Sequence, residues 1–405
     1  MKILILTTIY KDPEDSQDSE MTPIVHYFAR QWVRMGHEVE VIHNFNTYLL
    51  PFYYIPKNLL FRKVNFRISL NPKQRIEKHY IRDGVTIHRL PIKKVIPRGA
   101  YSNRSLHNQI KKIVGILKEK NFIPDIIVAH AENPQIFQLY YLKKEFPGVR
   151  TSIVFHGIEY LNRPRFEEWK NTYLNAIDRF GFRSESVHRK AQKEIKFDRP
   201  FFLCPSGVEE KYITRDSKRE EKVIGRVLYV GQLIERKHLK TIIEAVARKK
   251  DYKYELIVIG AGVQENEDKA YAKQLGISVI FKGKLPHEMV IDEMRKADYF
   301  VMVSENEVFG LVYLEAMAQG CITIAAEKEG MEGIIIDGEN GFLVKAGNTD
   351  ALCETFDRIE HLTEEKKQSI RERGRSVAGE FSESAVARKY LTNIMSDDLL
   401  IYNER

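Results

Sequence analysis

Apolar runs of strand length alternate with helical patterns along this chain, and the alternation starts afresh at mid-length. Residues 2–7 read as a strand, 24–35 as a helix with Ile24, Phe28, Trp32 and Met35 on one side, and 38–43 as the next strand. Strands follow at 85–90, 124–130 and 151–155, with helices at 106–120 and 134–146 between them. A second round sets strands at 222–230, 254–259, 279–282, 299–303, 322–325 and 341–344 between helices at 239–248, 269–276 and 287–297 and a further helix after Gly310. Two helical patterns, 363–381 and 384–395, close the chain. Strands separated by helices of about ten to fifteen residues imply right-handed βαβ units and a parallel sheet. The expected class is α/β, with two doubly wound domains in tandem and ligands near the carboxyl ends of the strands. The 405 residues exceed one ordinary core and suit two domains. The junction is expected at 198–206, where Pro200 and Pro205 fall. Domain boundaries of 1–200, 201–380 and 381–405 follow.

Several function classes are excluded by composition. No apolar run approaches the ~20 residues that span a bilayer. The first residues (MKILILTTIY) start like a buried strand and lack the long apolar region and small-residue site of a cleavable signal. Cys204, Cys321 and Cys353 are widely spaced and odd in number, which is neither a disulfide framework nor a metal-ligand pattern. A reducing, cytoplasmic setting is expected. The net charge of +8 is unevenly placed: residues 1–200 hold 34 basic and 20 acidic side chains, and 201–405 hold 30 and 36. The excess is concentrated at 51–100, beside the aromatic and aliphatic run Tyr48-Leu49-Leu50-Pro51-Phe52-Tyr53-Tyr54-Ile55-Pro56. Apolar residues beside Lys and Arg suit contact with an anionic membrane surface, here over residues 48–98, and equally a solvated basic face over a packed loop. Nucleic acid is not expected as a partner, because no recognition motif accompanies the charge.

The chemistry is concentrated at 304–343. Glu307 and Glu315 are separated by seven residues, with Phe309-Gly310 between them where a loop enters a helix. Leu311, Leu314 and Met317 recur at helical spacing, so Glu315 lies on the first turns of that helix. Free N–H groups and the positive dipole end at a helix start suit a phosphate or diphosphate, and ionised carboxylates beside it suit sugar hydroxyl groups. Earlier, Tyr229-Val230-Gly231-Gln232-Leu233-Ile234-Glu235-Arg236-Lys237 leaves a strand and could offer Arg236 and Lys237 to a diphosphate.

The stretch Glu307–Glu315 (Glu-Val-Phe-Gly-Leu-Val-Tyr-Leu-Glu) resembles the E-x-F-G-x-x-x-x-E signature of the retaining family 4 glycosyltransferases, which have the GT-B fold of two Rossmann-like domains facing a central cleft. Gly231–His238 resembles the same family's G-R-L-x-x-x-K-G element, with Gln232 in place of its arginine and His238 in place of its glycine. The resemblance implies Lys237, with Arg236, on the donor diphosphate, Glu307 and the Phe309-Gly310-Leu311 backbone on the donor sugar, and Glu315 on the ribose. Gly260-Ala261-Gly262 looks like the family's V-G-x-G element, and the stretch Phe281-Lys282-Gly283 looks like the part that meets the nucleobase through its backbone. Gly231, Gly260 and Lys282 are therefore carried as donor-binding positions. His156, after the strand at 151–155, resembles the family's strand-end histidine on the donor sugar.

By resemblance the reaction moves a sugar from a nucleotide-sugar, UDP-sugar ahead of GDP-sugar, to a glycan or lipid-linked acceptor in bacterial surface polysaccharide assembly. No cofactor and no metal are implied, the nucleotide-sugar being a co-substrate. The N-terminal domain would take the acceptor, the C-terminal domain the nucleotide, and the last helix would pack back towards the first domain. Relatives carry a Gly-Gly loop after the first strand, whereas 10–22 is acidic and glycine-free here. That departure and Gln232 suit a rival reading, a non-catalytic acceptor-binding subunit. A nicotinamide-dependent dehydrogenase would need a G-x-G-x-x-G turn with an acid about 20 residues on, and neither half has one.

Overall fold

A computed structural model describes residues 1–11, 23–49, 76–95, 100–158, 161, 172–213 and 225–396. The chain forms two compact units: unit 1 holds Met1–Phe182, Lys190–Cys204 and Ala387–Arg405, and unit 2 holds Arg183–Arg189 and Pro205–Val386. Each is an α/β unit on a parallel sheet, as the alternation of patterns required.

Unit 1 is built on β1 (Lys2–Thr7), β2 (Glu38–Thr47), β3 (Lys78–Arg82), β4 (Val85–Lys93), β5 (Ile126–His130), β6 (Arg150–Phe155), β7 (Arg179–Phe182) and β8 (Phe201–Leu203), in the sheet order β3-β4-β2-β1-β5-β6-β7-β8. All neighbours are parallel except β3 on β4. In β1 the residues Ile3 to Leu6 are fully buried, as a central strand covered by helices on both faces must be. The helices are α1 (Ile24–Arg34), α2 (Asn103–Glu119), α3 (Gln135–Glu145) and α4 (Glu185–Ile195), of which α4 starts in unit 2. Phe28 and Trp32, one turn apart on α1, lie 5.2 and 5.3 Å, ring to ring, from Tyr390 in the chain's last helix. The Trp32 indole donates to the Ala387 carbonyl at 3.0 Å.

Unit 2 has β9 (Arg226–Val230), β10 (Glu255–Ile259), β11 (Val279–Phe281), β12 (Tyr299–Met302), β13 (Ile322–Ala326) and β14 (Phe342–Val344) in the order β11-β10-β9-β12-β13-β14. Every pairing is parallel. Around this sheet stand α5 (Leu239–Arg248), α6 (Glu265–Gln274), α7 (His287–Lys296), α8 (Leu311–Ala318), α9 (Thr349–Glu360) and α10 (Glu364–Glu380), and α11 (Glu383–Met395) crosses from unit 2 into unit 1. From β9 the chain winds outward through β10 and β11, then returns to place β12 on the other side of β9. The order of winding therefore reverses between β9 and β12, and an open α/β sheet has its ligand crevice at such a reversal.

Some elements lie outside the expected set. Strand β3 is a five-residue edge whose residues alternate between half-buried and exposed, and β7 has only four residues, so neither forms a long apolar run. Helix α9 did carry a signal: Asn348 caps it through Ala351 N–H, and Leu352, Phe356 and Ile359 recur on its buried side. The α6 helix begins at Glu265 rather than 269, with the acidic first-turn residues Glu265 and Glu267 favoured by the helix dipole. Strand β9 starts at Arg226, and 214–224 fall outside the described residues. So do most of the acidic loop at 10–22 and, within the basic 48–98 stretch, residues 50–75 and 96–98. Among the described residues no helix is long and apolar enough to cross a membrane.

Candidate active site

The loops that leave β9 and β12 meet at the reversal in unit 2. The β9 loop ends in a 3-10 turn, Glu235–Lys237, and enters α5 at His238, whose φ of 52° is left-handed. Glycine occupies such backbone most cheaply, which gives a physical reason for the glycine of the family element that His238 replaces. The turn carries Lys237 inward. Its ammonium lies 2.5 Å from Glu307 Oε2 and 3.6 Å from Met302 Sδ, and the two charged side chains are 9% and 13% exposed. Burial lowers the Lys237 pKa, while Glu307 pulls it the other way.

The β12 loop is held from several directions. Ser304 Oγ donates to Glu307 Oε2 at 3.1 Å, and Glu307 N–H donates to Glu329 Oε2 at 2.8 Å. The Arg236 guanidinium donates to the carbonyls of Glu305 (3.2 Å) and Asn306 (3.4 Å), and Glu305 N–H returns a bond to the Arg236 carbonyl. The two loops thus clasp each other through both Arg236 and Lys237. From Arg183–Arg189, Ser186 Oγ donates to the Glu307 carbonyl at 3.5 Å and the Arg183 guanidinium lies over the Phe309 ring at 5.5 Å.

Gly310 turns this loop into α8 with φ 79°, and a Cβ there would lie 2.5 Å from the Tyr313 ring. A larger residue would meet both strain and a clash. Among the described residues no side chain caps the start of α8, and Tyr313 N–H donates to the Gly310 carbonyl, which leaves the N–H groups of Leu311 and Val312 as backbone donors for an anion. Glu315 projects from the second turn and is buried, with Oε1 2.8 Å from His287 Nε2. That bond raises the His287 pKa, against the opposing effect of burial.

The structure brings Lys237, Arg236, Glu307, Phe309, Gly310 and Leu311 together and sets Glu315 one turn along the same helix. The other positions have separate surroundings. A Cβ on Gly260 would lie 1.8 Å from the Gly231 carbonyl oxygen, so Gly260 lets the β9 and β10 loops touch backbone to backbone, whereas a Cβ on Gly231 would meet the Tyr229 hydroxyl at 2.9 Å. Lys282 turns its ammonium to Glu293 Oε2 at 2.7 Å, and its N–H joins the Val258 carbonyl. His156 belongs to unit 1, at the end of β6, with Nε2 3.0 Å from Nδ1 of His130. Sequence reasoning missed Ser304, Glu329, His287 and the Arg183–Arg189 segment. Ser304 and His287 each sit at an element end beside a known motif, which is a usable signal. Glu329 and Ser186 reach the loop only through tertiary folding.

Solved structures of similar shape identify the architecture. A glycosyltransferase from Rickettsia africae ESF-5 matches with a TM-score of 0.70 over 98% of this chain and 100% of that one, at 16% identity. Anabaena HepE, solved in complex with UDP and glucose, matches at 0.63 over 97% and 99%, with 17% identity. The fold is the GT-B fold of glycosyltransferases. In sequence, the chain is 31% identical over 175 residues to the lipopolysaccharide core biosynthesis glycosyltransferase LpsE of Rhizobium meliloti (strain 1021), covering 42% of this chain and 49% of that protein. The chain thus spans about half the length of that curated relative. Residues 211–377, which contain every position from Gly231 to Glu315 described above, match the family of glycosyl transferases group 1.

Proposed function

We propose that the protein is a retaining glycosyltransferase that takes a sugar from a nucleotide-sugar, a UDP-sugar ahead of a GDP-sugar, without a metal ion. The acceptor would be a glycan or a lipid-linked glycan of bacterial surface polysaccharide assembly. One observation carries the reading: a nearly buried lysine and glutamate paired across the sheet reversal, beside an uncapped helix start. Lys237 and Arg236 would neutralise the diphosphate as it leaves, with the α8 N–H groups as further donors. Glu307 would accept from a sugar hydroxyl and fix the ring. Glu315 would accept from the ribose. The acceptor oxygen would bond to the anomeric carbon on the face the diphosphate leaves, its proton passing to a departing phosphate oxygen, through an oxocarbenium-like state. The protein's part is orientation and charge stabilisation.

The UDP preference draws on the ligand of HepE, and the acceptor class on the role named for LpsE. The test is release of free nucleotide from UDP-glucose, UDP-galactose and GDP-mannose by the purified chain, with and without chelator. Release that survives chelation and disappears in Lys237→Ala is the expected result, and the anomeric configuration of the product, read by NMR, tests retention. Nucleotide binding with no turnover of any donor, with acceptor glycolipids added, would instead favour the non-catalytic subunit.

A further inference from the structure

His287 opens α7 and is not part of the Glu307–Glu315 motif, yet its ring is the sole hydrogen-bond partner of the Glu315 carboxylate among the described residues. The bond takes Oε1 and leaves Oε2. The ring is itself held: it meets the Tyr212 ring in a T-shaped contact, 5.2 Å between centroids at 89°. Behind Tyr212, the amide of Gln319, the residue that follows α8, donates to the Tyr212 carbonyl, and Arg295 of α7 donates to Gln319 Oε1 at 3.1 Å. Three segments, the 205–213 stretch, α7 and α8, thus close on one carboxylate.

We infer that His287 is a positioning residue for nucleotide recognition: it anchors one oxygen of Glu315 so that the other is presented to the ribose hydroxyls of the donor. The inference rests on the reading of Glu315 as the ribose acceptor. A carboxylate on a three-bond side chain accepts well from a hydroxyl only when its plane is fixed, and an imidazole N–H to one oxygen fixes it without occupying the other. The neutral ring can donate from Nε2 as well as the charged one, so the anchor does not depend on protonation. The charged groups acting on this ring are Glu315 and Glu209, which favour its charge, and Lys211, which opposes it. Because ribose contacts are the same in ground and transition state, loss of the anchor should raise the donor KM and leave kcat nearly unchanged.

The experiment compares binding of UDP, 2′-deoxy-UDP and 3′-deoxy-UDP to the full chain by calorimetry, with GDP and its deoxy analogues run in parallel. Wild type is expected to favour the ribonucleotide about tenfold over the weaker deoxy analogue, as a hydrogen bond to a charged group allows. In His287→Ala this preference should fall to about threefold or less through weaker ribonucleotide binding alone. Unchanged affinity for the deoxy analogue shows that the variant is folded. His287→Gln, which keeps an N–H donor, should restore most of the preference. Preference lost in Glu315→Gln but intact in His287→Ala overturns the role of His287 and leaves the ribose reading standing. Preference intact in both variants, or absent from wild type, overturns the two together, as does failure to bind either nucleotide.

Discussion

Lys237 Nζ stands 2.5 Å from Glu307 Oε2, joining the loops after β9 and β12 by an ion pair that is 9% and 13% exposed on its two sides. Removing one partner strands the other charge in a poorly solvated place, which costs about 3–5 kcal/mol in buried pairs. Lys237→Met and Glu307→Gln should therefore each lower stability by several kcal/mol. The double variant should lose clearly less than the sum, because neither charge is left alone. Urea denaturation of the four proteins measures the coupling. Donor turnover should separate from stability, staying lost in the double variant even where folding recovers. Additive losses in stability would show that the two charges do not support each other.

Gly260 permits a contact that any side chain forbids. Its φ is 140° and a Cβ would sit 1.8 Å from the Gly231 carbonyl, a backbone atom with nowhere to move. Gly260→Ala should destabilise unit 2 by more than about 3 kcal/mol or prevent its folding. Gly276 is the control: φ is 66° but no atom of the described residues lies within 4 Å of its Cβ position, so Gly276→Ala should cost only the left-handed strain of about 1–2 kcal/mol. Thermal unfolding of both variants decides whether close approach or backbone angle matters at Gly260.

Much of this was legible in the sequence, for identifiable reasons. The fold was readable because strands such as Ile126–His130 are covered on both faces and so form continuous apolar runs. The Glu307–Glu315 stretch was readable because its parts are close in sequence, and the Lys237 element because it follows a strand. What the pattern could not carry was pairing at long range: Glu329 on Glu307 N–H, His287 on Glu315, Ser186 under the loop. Gly260 shows a different limit. A glycine after a strand reads alike whether a ligand or another loop comes close, and here the other loop does.

Unit 1 should weaken in mild acid. Burial pushes His26 down to about 4, against its bond to Asp83, and pushes His43 down to about 3. Both folded values lie below the ordinary 6.5, so between about pH 6.5 and 4 the unfolded chain binds protons that the folded chain refuses. Stability is then lost as pH falls through that window. At pH 5 each histidine should cost about 2 kcal/mol relative to pH 7.5. Urea midpoints read by tryptophan fluorescence at the two pH values test this, with Trp32 reporting from unit 1. The variant His43→Phe should flatten part of the pH dependence. An unchanged dependence in that variant would remove His43 from the account.

Asp268 works in the opposite direction within unit 2. The residue is 1% exposed, and among the described residues neither carboxylate oxygen has a hydrogen-bond partner. Burial is the main cause that raises its pKa to about 6, with Glu267 adding to the rise and Lys240 opposing it. Because the folded value exceeds the unfolded one, the folded state holds a proton between about pH 4 and 6 that the unfolded state releases. Its favourable contribution is present at low pH and is lost as pH rises through 6, so ionised Asp268 destabilises the protein at neutral pH. Asp268→Asn removes the charge while keeping the shape. It should stabilise unit 2 at pH 7.5 by up to about 3 kcal/mol, which is about 2–4 °C in Tm per kcal/mol for a unit of this size. At pH 4.5, where Asp268 is neutral in the folded state but still largely ionised in the unfolded chain, the same substitution should gain only about 1 kcal/mol. A gain of equal size at both pH values would assign the effect to packing rather than to charge.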